Sequence, residues 1–139
     1  MRKLLPLIGG SLLLAAAGAT AVSAAEPVDR EAELTRALDG RVAGEPVDCI
    51  DLNRIQSTRI INDTAIIYDA GRTLYVNRPR NGADSLNRWD TIVTRLHSRR
   101  LCSIDTVQMI DPNSRILTGI VFLGEFVPYR REESAATAD

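Results

Sequence analysis

The sequence has few of the residues that ordinarily carry out enzyme chemistry or bind metal ions. It contains one histidine and two cysteines among 139 residues, and aromatic residues make up only 4% of the chain. Nucleophilic hydrolysis needs a nucleophile, a base and an orienting group, and no serine lies in a Gly-x-Ser-x-Gly sequence. His97 lies in an arginine-rich segment and is interpreted as a surface residue. We therefore expect no catalytic residue, no metal site and no cofactor.

The first 25 residues have the three-part layout of a secretory signal peptide. Arg2 and Lys3 supply positive charge, an apolar run covers residues 4–22, and small residues follow up to Ala25. The alternative is a retained membrane anchor, because the run is about long enough to span a bilayer. With cleavage after Ala24 or Ala25, we expect an exported, periplasmic protein of a Gram-negative bacterium. Such a protein meets the membrane only through the signal peptide before cleavage.

The charge of the mature chain argues against nucleic acid as a partner. Cleavage would leave 15 of the 17 basic residues against 18 acidic residues, a net charge of −3, and all 15 are arginine. Neutralising nucleic-acid phosphates needs clustered positive charge, so a net-acidic domain binds nucleic acid poorly. The preference for arginine over lysine reflects either genome composition or a selected anion-binding role.

The mature chain is predicted to be mostly β, a small antiparallel meander forming a barrel or sandwich. Its apolar residues alternate with period two between turn residues, and the connections are too short for parallel crossovers. The clearest hairpin joins Thr64–Tyr68 to Thr73–Asn77. Leu101–Ile110 is predicted as one strand, and Ile116–Tyr129 as a strand broken near Gly124.

We expect a helix and linker lead-in over residues 26–47, a single β-rich domain over 48–129 and a disordered tail over 130–139. Asp29 can cap the one short helix, and Gly40 ends it. The residues after Gly40 are interpreted as a linker.

Cys49 and Cys102 form an even number in a protein that is expected to be exported, so a disulfide between them is the default prediction. The alternatives are two buried free thiols, or redox or metal chemistry. There is no Cys-x-x-Cys sequence, and one histidine with two cysteines does not complete a zinc site unless a carboxylate helps.

Three short motifs surround these cysteines and the end of the domain. They are Cys49-Ile50-x-Leu52-x-x-Ile55-x-x-Thr58, Leu101-Cys102-x-x-Asp105 and Leu123-Gly124-x-Phe126. Over residues 48–129 the chain resembles a family of small exported Gram-negative bacterial proteins, a domain of unknown function with Cys-containing motifs. Members carry further cysteines at positions that align with Ala83 and Val121, which this chain lacks. The resemblance implies the fold and the location, and no activity.

One loop combines arginine with aromatic residues and is the best candidate for a ligand surface. The candidate residues are Tyr75, Arg78, Arg80, Arg88 and Trp89. Arginine beside aromatic rings can hold an anionic or sugar-like group by bidentate hydrogen bonds and stacking. The alternative is a solvated loop whose tryptophan packs inward.

Asp105 interrupts an apolar segment next to Cys102. A buried, unpaired carboxylate is costly, so we expect Asp105 to form a buried polar pair with Arg54 or Arg59. The alternatives are a role as general acid or base, and simple exposure at a bend.

These patterns lead us to expect a non-catalytic binding or structural module of the cell envelope, whose partner is an envelope ligand or protein. One alternative is a small hydrolase that uses carboxylates such as Asp105, which a deep pocket at that residue would favour. The other is a partner-binding subunit that pairs through a sheet edge, which a long uncovered edge strand would favour.

Overall fold

The protein is described by a computed structural model that covers residues 28–132. The predicted signal peptide and the last seven residues of the predicted tail, 133–139, lie outside the described residues. One α-helix precedes the strands, α1 (Arg30–Ala37), and two 3₁₀ turns occupy Leu52–Arg54 and Ala83–Ser85. The strands are β1 (Arg41–Ala43), β2 (Cys49–Asp51), β3 (Ser57–Ile61), β4 (Ala65–Asp69), β5 (Thr73–Asn77), β6 (Thr91–Thr94), β7 (Arg100–Cys102), β8 (Thr106–Ile110), β9 (Leu117–Phe122) and β10 (Phe126–Arg131).

The strands form three antiparallel sheets. The largest has the order β1-β10-β5-β4-β3, the second consists of β2 and β7, and the third has the order β6-β8-β9. The prediction of a mostly β, antiparallel chain with one short helix is confirmed. The strands described do not close into a barrel, because they divide among separate sheets. Only β3, β4 and β5 follow one another as a meander.

The hairpin predicted from local sequence is present as β4 and β5. Its register places Ile67 opposite Val76 and Tyr68 opposite Tyr75. At the turn, the carboxylate of Asp69 accepts a hydrogen bond from the Gly71 N–H at 2.7 Å. Gly71 has a φ of +82°, which residues with a Cβ rarely adopt.

The two faces of the five-stranded sheet are buried against different partners. On one face, Leu34 and Leu38 from α1 pack on apolar residues of β3, β4 and β5. The helix begins as predicted, because the Asp29 carboxylate accepts from the N–H groups of Glu31 and Ala32. The opposite face packs against the two smaller sheets around Phe126, which is completely buried.

Tyr68 lies in this second core with its ring edge-on to Phe126, at 5.8 Å between the ring centroids. Its hydroxyl has no hydrogen-bond partner among the described residues. Burial raises the pKa of Tyr68, so the phenol stays neutral.

Three boundaries differ from those predicted. Residues 101–110 are two strands in different sheets, because the chain turns between Cys102 and Asp105. Part of the predicted linker forms β1, which pairs with β10 as an edge strand. β10 itself continues to Arg131, past the predicted start of the tail at residue 130.

Candidate functional site

The structure does not bring the predicted ligand residues together on one surface. Tyr75 packs against the core on the face of the large sheet that lies opposite α1. Arg78 reaches the other face, where it bonds to Glu31 of α1. These two members of the predicted surface are therefore separated by the sheet.

Arg78 and Arg88 are both bonded to glutamates of α1. The Arg78 guanidinium forms two hydrogen bonds to Glu31, at 2.7 and 2.9 Å, and Arg88 Nη2 lies 2.7 Å from Glu33 Oε1. The bidentate hydrogen bonds from Arg78 lower the pKa of Glu31 below its usual value, and they raise the pKa of Arg78. Glu31 is exposed, so this pair is screened by solvent and contributes little to stability.

Arg80 and Trp89 differ in their surroundings, since Arg80 is bonded to two backbone carbonyls and Trp89 is exposed. Arg80 donates from Nε to the Leu123 carbonyl at 2.7 Å and from Nη2 to the Ser103 carbonyl at 3.2 Å. Trp89 does not pack inward and is 76% exposed. The adjacent Asp90 accepts a hydrogen bond from the Thr118 hydroxyl, which ties the segment of Trp89 to β9.

Asp105 does not form the predicted buried pair. It is half-buried, and its carboxylate accepts a hydrogen bond from the Cys102 N–H at 2.7 Å across the turn between β7 and β8. Arg54 and Arg59 are both exposed, and neither forms an ion pair with Asp105. The local turn satisfies the carboxylate, so the predicted arginine partner is not needed.

The predicted disulfide is present, with Cys49 and Cys102 directly opposite each other in β2 and β7. Their neighbours Ile50 and Leu101 are buried in the core, so the bond lies at the edge of the packed interior. A disulfide is consistent with an oxidising compartment. None of the helices described here is long and apolar enough to cross a membrane.

The three-stranded sheet exposes an apolar surface that the sequence analysis did not identify. Its inward side chains, among them Val107, Met109 and Val121, are completely buried. The alternate positions point outward, and the register places Val93, Gln108 and Ile120 in one row across the three strands. We call this side the outer face and define it by Val93, Gln108, Leu117, Ile120 and Phe122.

The apolar members of the outer face are only partly shielded from solvent. Leu117 is 47% exposed, and Ile120 and Phe122 are each 43% exposed. Leu117, Ile120 and Phe122 all belong to β9, and Gln108 of β8 lies between Ile120 and Val93 of β6. Three apolar side chains on the outward side of one strand differ from the singly scattered apolar residues that are normal on protein surfaces. The sequence feature that could have predicted this surface is the run from Ile116 to Leu123, which places apolar residues on both sides of the strand.

A groove lies at one end of the outer face. It is a cavity of about 270 Å³ whose lining includes Val93 and Gln108 of the outer face. Arg95, His97 and Asp105 also line it. Within residues 28–132, no group of three or more histidine, cysteine or acidic side chains is placed to hold a metal ion.

No family model, curated protein or solved structure matches this chain. The resemblance to exported proteins of unknown function therefore stays a prediction.

Proposed function

We propose that this protein is an exported, non-catalytic binding module of the cell envelope, and that its outer face binds a partner polypeptide. The observation that carries the proposal is the group of half-exposed apolar side chains on the outer face, three of them on β9 and Val93 on β6. Burying such side chains against a partner is favourable by about 25 cal/mol for each Å² of apolar surface removed from water. The disulfide supports the location in an oxidising compartment.

The open edge of β6 favours an extended segment of the partner as the occupant. The order β6-β8-β9 leaves β6 at the edge, whereas the other edge strand, β9, is bridged by Asn81 opposite Phe122. Among the described residues, β6 forms backbone pairs only with β8. An added strand would bond to these free backbone groups, and the part of the partner that continues from it would cover the outer face.

Site-specific photocrosslinking in intact cells tests this proposal. A photoreactive benzoyl-phenylalanine in place of Ile120 is expected to give one discrete crosslinked product, and Val93→Lys in the same chain is expected to abolish it. The physical reason is that a charge at Val93 must be desolvated when the partner covers the outer face. The mass of the uncrosslinked chain, starting at Ala25 or Glu26, checks export in the same sample.

The matched control places the same photoreactive residue at Thr58, an exposed position on β3 of the five-stranded sheet. The proposal is contradicted if both positions give the same crosslinked product in equal amount, or if the Ile120 position gives none. A product of twice the mass of the chain would make a second copy the partner.

The groove gives the hydrolase hypothesis one observation in its favour, because Asp105, His97 and Arg95 share its lining. Asp105→Asn is a direct test, since the asparagine oxygen can still accept from the Cys102 N–H and preserve the turn. We expect little change in melting temperature. A hydrolase that used Asp105 as acid or base would lose about 100-fold or more in rate in this variant. Unchanged rates with a generic ester substrate exclude that role for Asp105.

A further inference from the structure

Four arginines meet at one end of the five-stranded sheet, in a cleft that is separate from the outer face. The cleft has a volume of about 710 Å³, and Gly71 and Thr73 also line it. We call it the arginine cleft and define its charged residues as Arg41, Arg72, Arg130 and Arg131.

The strand pairing places these arginines, which come from three distant parts of the sequence, at the same end of the sheet. Arg41 in β1 lies opposite Arg131 in β10. Arg130 lies opposite Thr73 in β5, and Arg72 immediately precedes that residue in the turn. The cluster of arginines is thus a consequence of sheet topology, and no short sequence motif predicts it.

Two of the arginines are held in position and keep donors available. Arg41 Nη1 donates to the carbonyls of Arg72 and Tyr129, at 3.0 and 3.3 Å. Arg130 Nε donates to the Thr73 hydroxyl at 3.0 Å. Each guanidinium carries five N–H donors, so most donors of both side chains remain without a protein partner among the described residues.

The arginines of the cleft form no ion pair with the described residues. No carboxylate lines the cleft, and none of the three ion pairs found in residues 28–132 involves its arginines. Asp39 and Asp69 line a neighbouring cavity that shares Arg41 and Arg131, and Glu132 lines another that shares Arg130 and Arg131. None of these three carboxylates forms an ion pair. By contrast, Arg78 and Arg88 are both paired with α1.

We infer that the arginine cleft binds a phosphate group, presented by a soluble phosphate compound or by a lipid headgroup. Four like charges in one cleft repel one another, and a bound oxyanion relieves that repulsion. The guanidinium fork matches the oxygens of phosphate in bidentate geometry, which a lysine ammonium does not. A site of this kind favours arginine over lysine, and residues 28–132 contain no lysine.

The test measures binding of pyrophosphate by calorimetry and of vesicles by sedimentation, at constant ionic strength, with the disulfide-bonded protein. The vesicles contain phosphatidylcholine alone or mixed with phosphatidylglycerol. The test variant combines Arg72→Gln and Arg131→Gln, because both side chains are exposed and neither forms a side-chain hydrogen bond among the described residues. We expect binding of one probe to weaken about 10-fold or more, since it loses charge-assisted hydrogen bonds.

The control variant combines Arg54→Gln and Arg99→Gln, which remove the same charge from exposed positions outside the cleft. Pyrophosphate binding that is lost only in the cleft variant identifies a soluble phosphate compound. Binding only to the phosphatidylglycerol vesicles, lost in the same variant, identifies a headgroup. Equal weakening in both variants, or no binding of either probe by the unmodified protein, overturns the inference. Neither result depends on whether the outer face binds a polypeptide.

Discussion

Replacing both cysteines, by Cys49→Ser together with Cys102→Ser, is expected to lower the free energy of unfolding by about 4 kcal/mol. The two residues are 53 positions apart, so the disulfide closes a long loop and removes a large part of the conformational freedom of the unfolded chain. Domains of this size are stable by only about 5–15 kcal/mol, so the loss is a large share of the total. Urea denaturation, followed by circular dichroism, measures the change.

The position of the bond gives a second, local expectation. β2 and β7 pair with each other through three residue pairs, and neither is bonded to any other strand among residues 28–132. Without the disulfide, the amide protons of these two strands are expected to exchange faster than those of β4 and β5 under native conditions. Hydrogen exchange followed by mass spectrometry resolves the two regions.

Chemical reduction of the unmodified protein is the matched control, because it breaks the same bond without changing the sequence. Its midpoint in urea is expected to approach that of the double serine variant. A loss below about 1 kcal/mol in both samples would show that the two strands are held by packing of Ile50 and Leu101 instead.

The sequence predicted correctly those elements that are determined by neighbouring residues, such as turn and capping residues. The hairpin of β4 and β5 has β-branched residues and a turn that contains Gly71, and α1 has its cap at Asp29. The disulfide followed from the number of cysteines and the expected compartment. Each of these features depends on signals that one stretch of sequence carries by itself.

The segment 101–110 shows why one strand prediction was wrong. The apolar residues Leu101, Ile104, Val107 and Met109 suggested a continuous strand, but the spacing from Leu101 to Ile104 is three residues and breaks the alternation of period two. Ile104 is 79% exposed at the turn, and the Asp105 carboxylate bonds to the Cys102 N–H. The aspartate at position 105 is therefore explained by its hydrogen bond to a nearby backbone N–H, and not by a buried ion pair.

The sites could not be predicted from sequence, because they depend on pairing between distant segments. Arg78 and Arg88 looked available in sequence, yet each is bonded to a glutamate of α1. The arginine cleft requires β1 to pair with β10, and a three-residue edge strand has too short a pattern to predict that contact. The same topology thus removes arginines from the predicted site and gathers others elsewhere.

Asn77→Ala is expected to lower the free energy of unfolding by about 3 kcal/mol, because it leaves two buried backbone groups without partners. Asn77 is completely buried in β5. Its amide donates from Nδ2 to the Gly124 carbonyl at 2.7 Å, and its Oδ1 accepts from the Gly124 N–H at 3.0 Å. Gly124 lies in the connection between β9 and β10, so this side chain joins the five-stranded sheet to the chain that leaves the three-stranded sheet. Urea denaturation measures the loss.

The backbone around Gly124 leaves little room for another arrangement. A Cβ on Gly124 would lie 2.4 Å from the Arg78 carbonyl oxygen, so the connection passes close to the residue that follows Asn77. The unpaired groups of the alanine variant are therefore expected to stay buried. The matched control is Asn81→Ala, because Asn81 is exposed and its side chain forms no hydrogen bond among the described residues. Its effect is expected to stay within about 0.5 kcal/mol.

Asn77→Asp separates the loss of hydrogen bonds from the loss of volume, since it keeps the size of the side chain. At neutral pH the introduced carboxylate faces the Gly124 carbonyl, and burial beside this acceptor raises its pKa in the folded state above that in the unfolded state. The folded state then binds the extra proton more tightly, so the penalty relative to the unmodified protein is largest above the folded pKa and falls as the pH is lowered through it. A protonated carboxyl can donate to the carbonyl as the amide does. If the penalty does not depend on pH, the segment between β9 and β10 moves away from the side chain at position 77. The five-stranded and three-stranded sheets are then joined by packing around Phe126 alone.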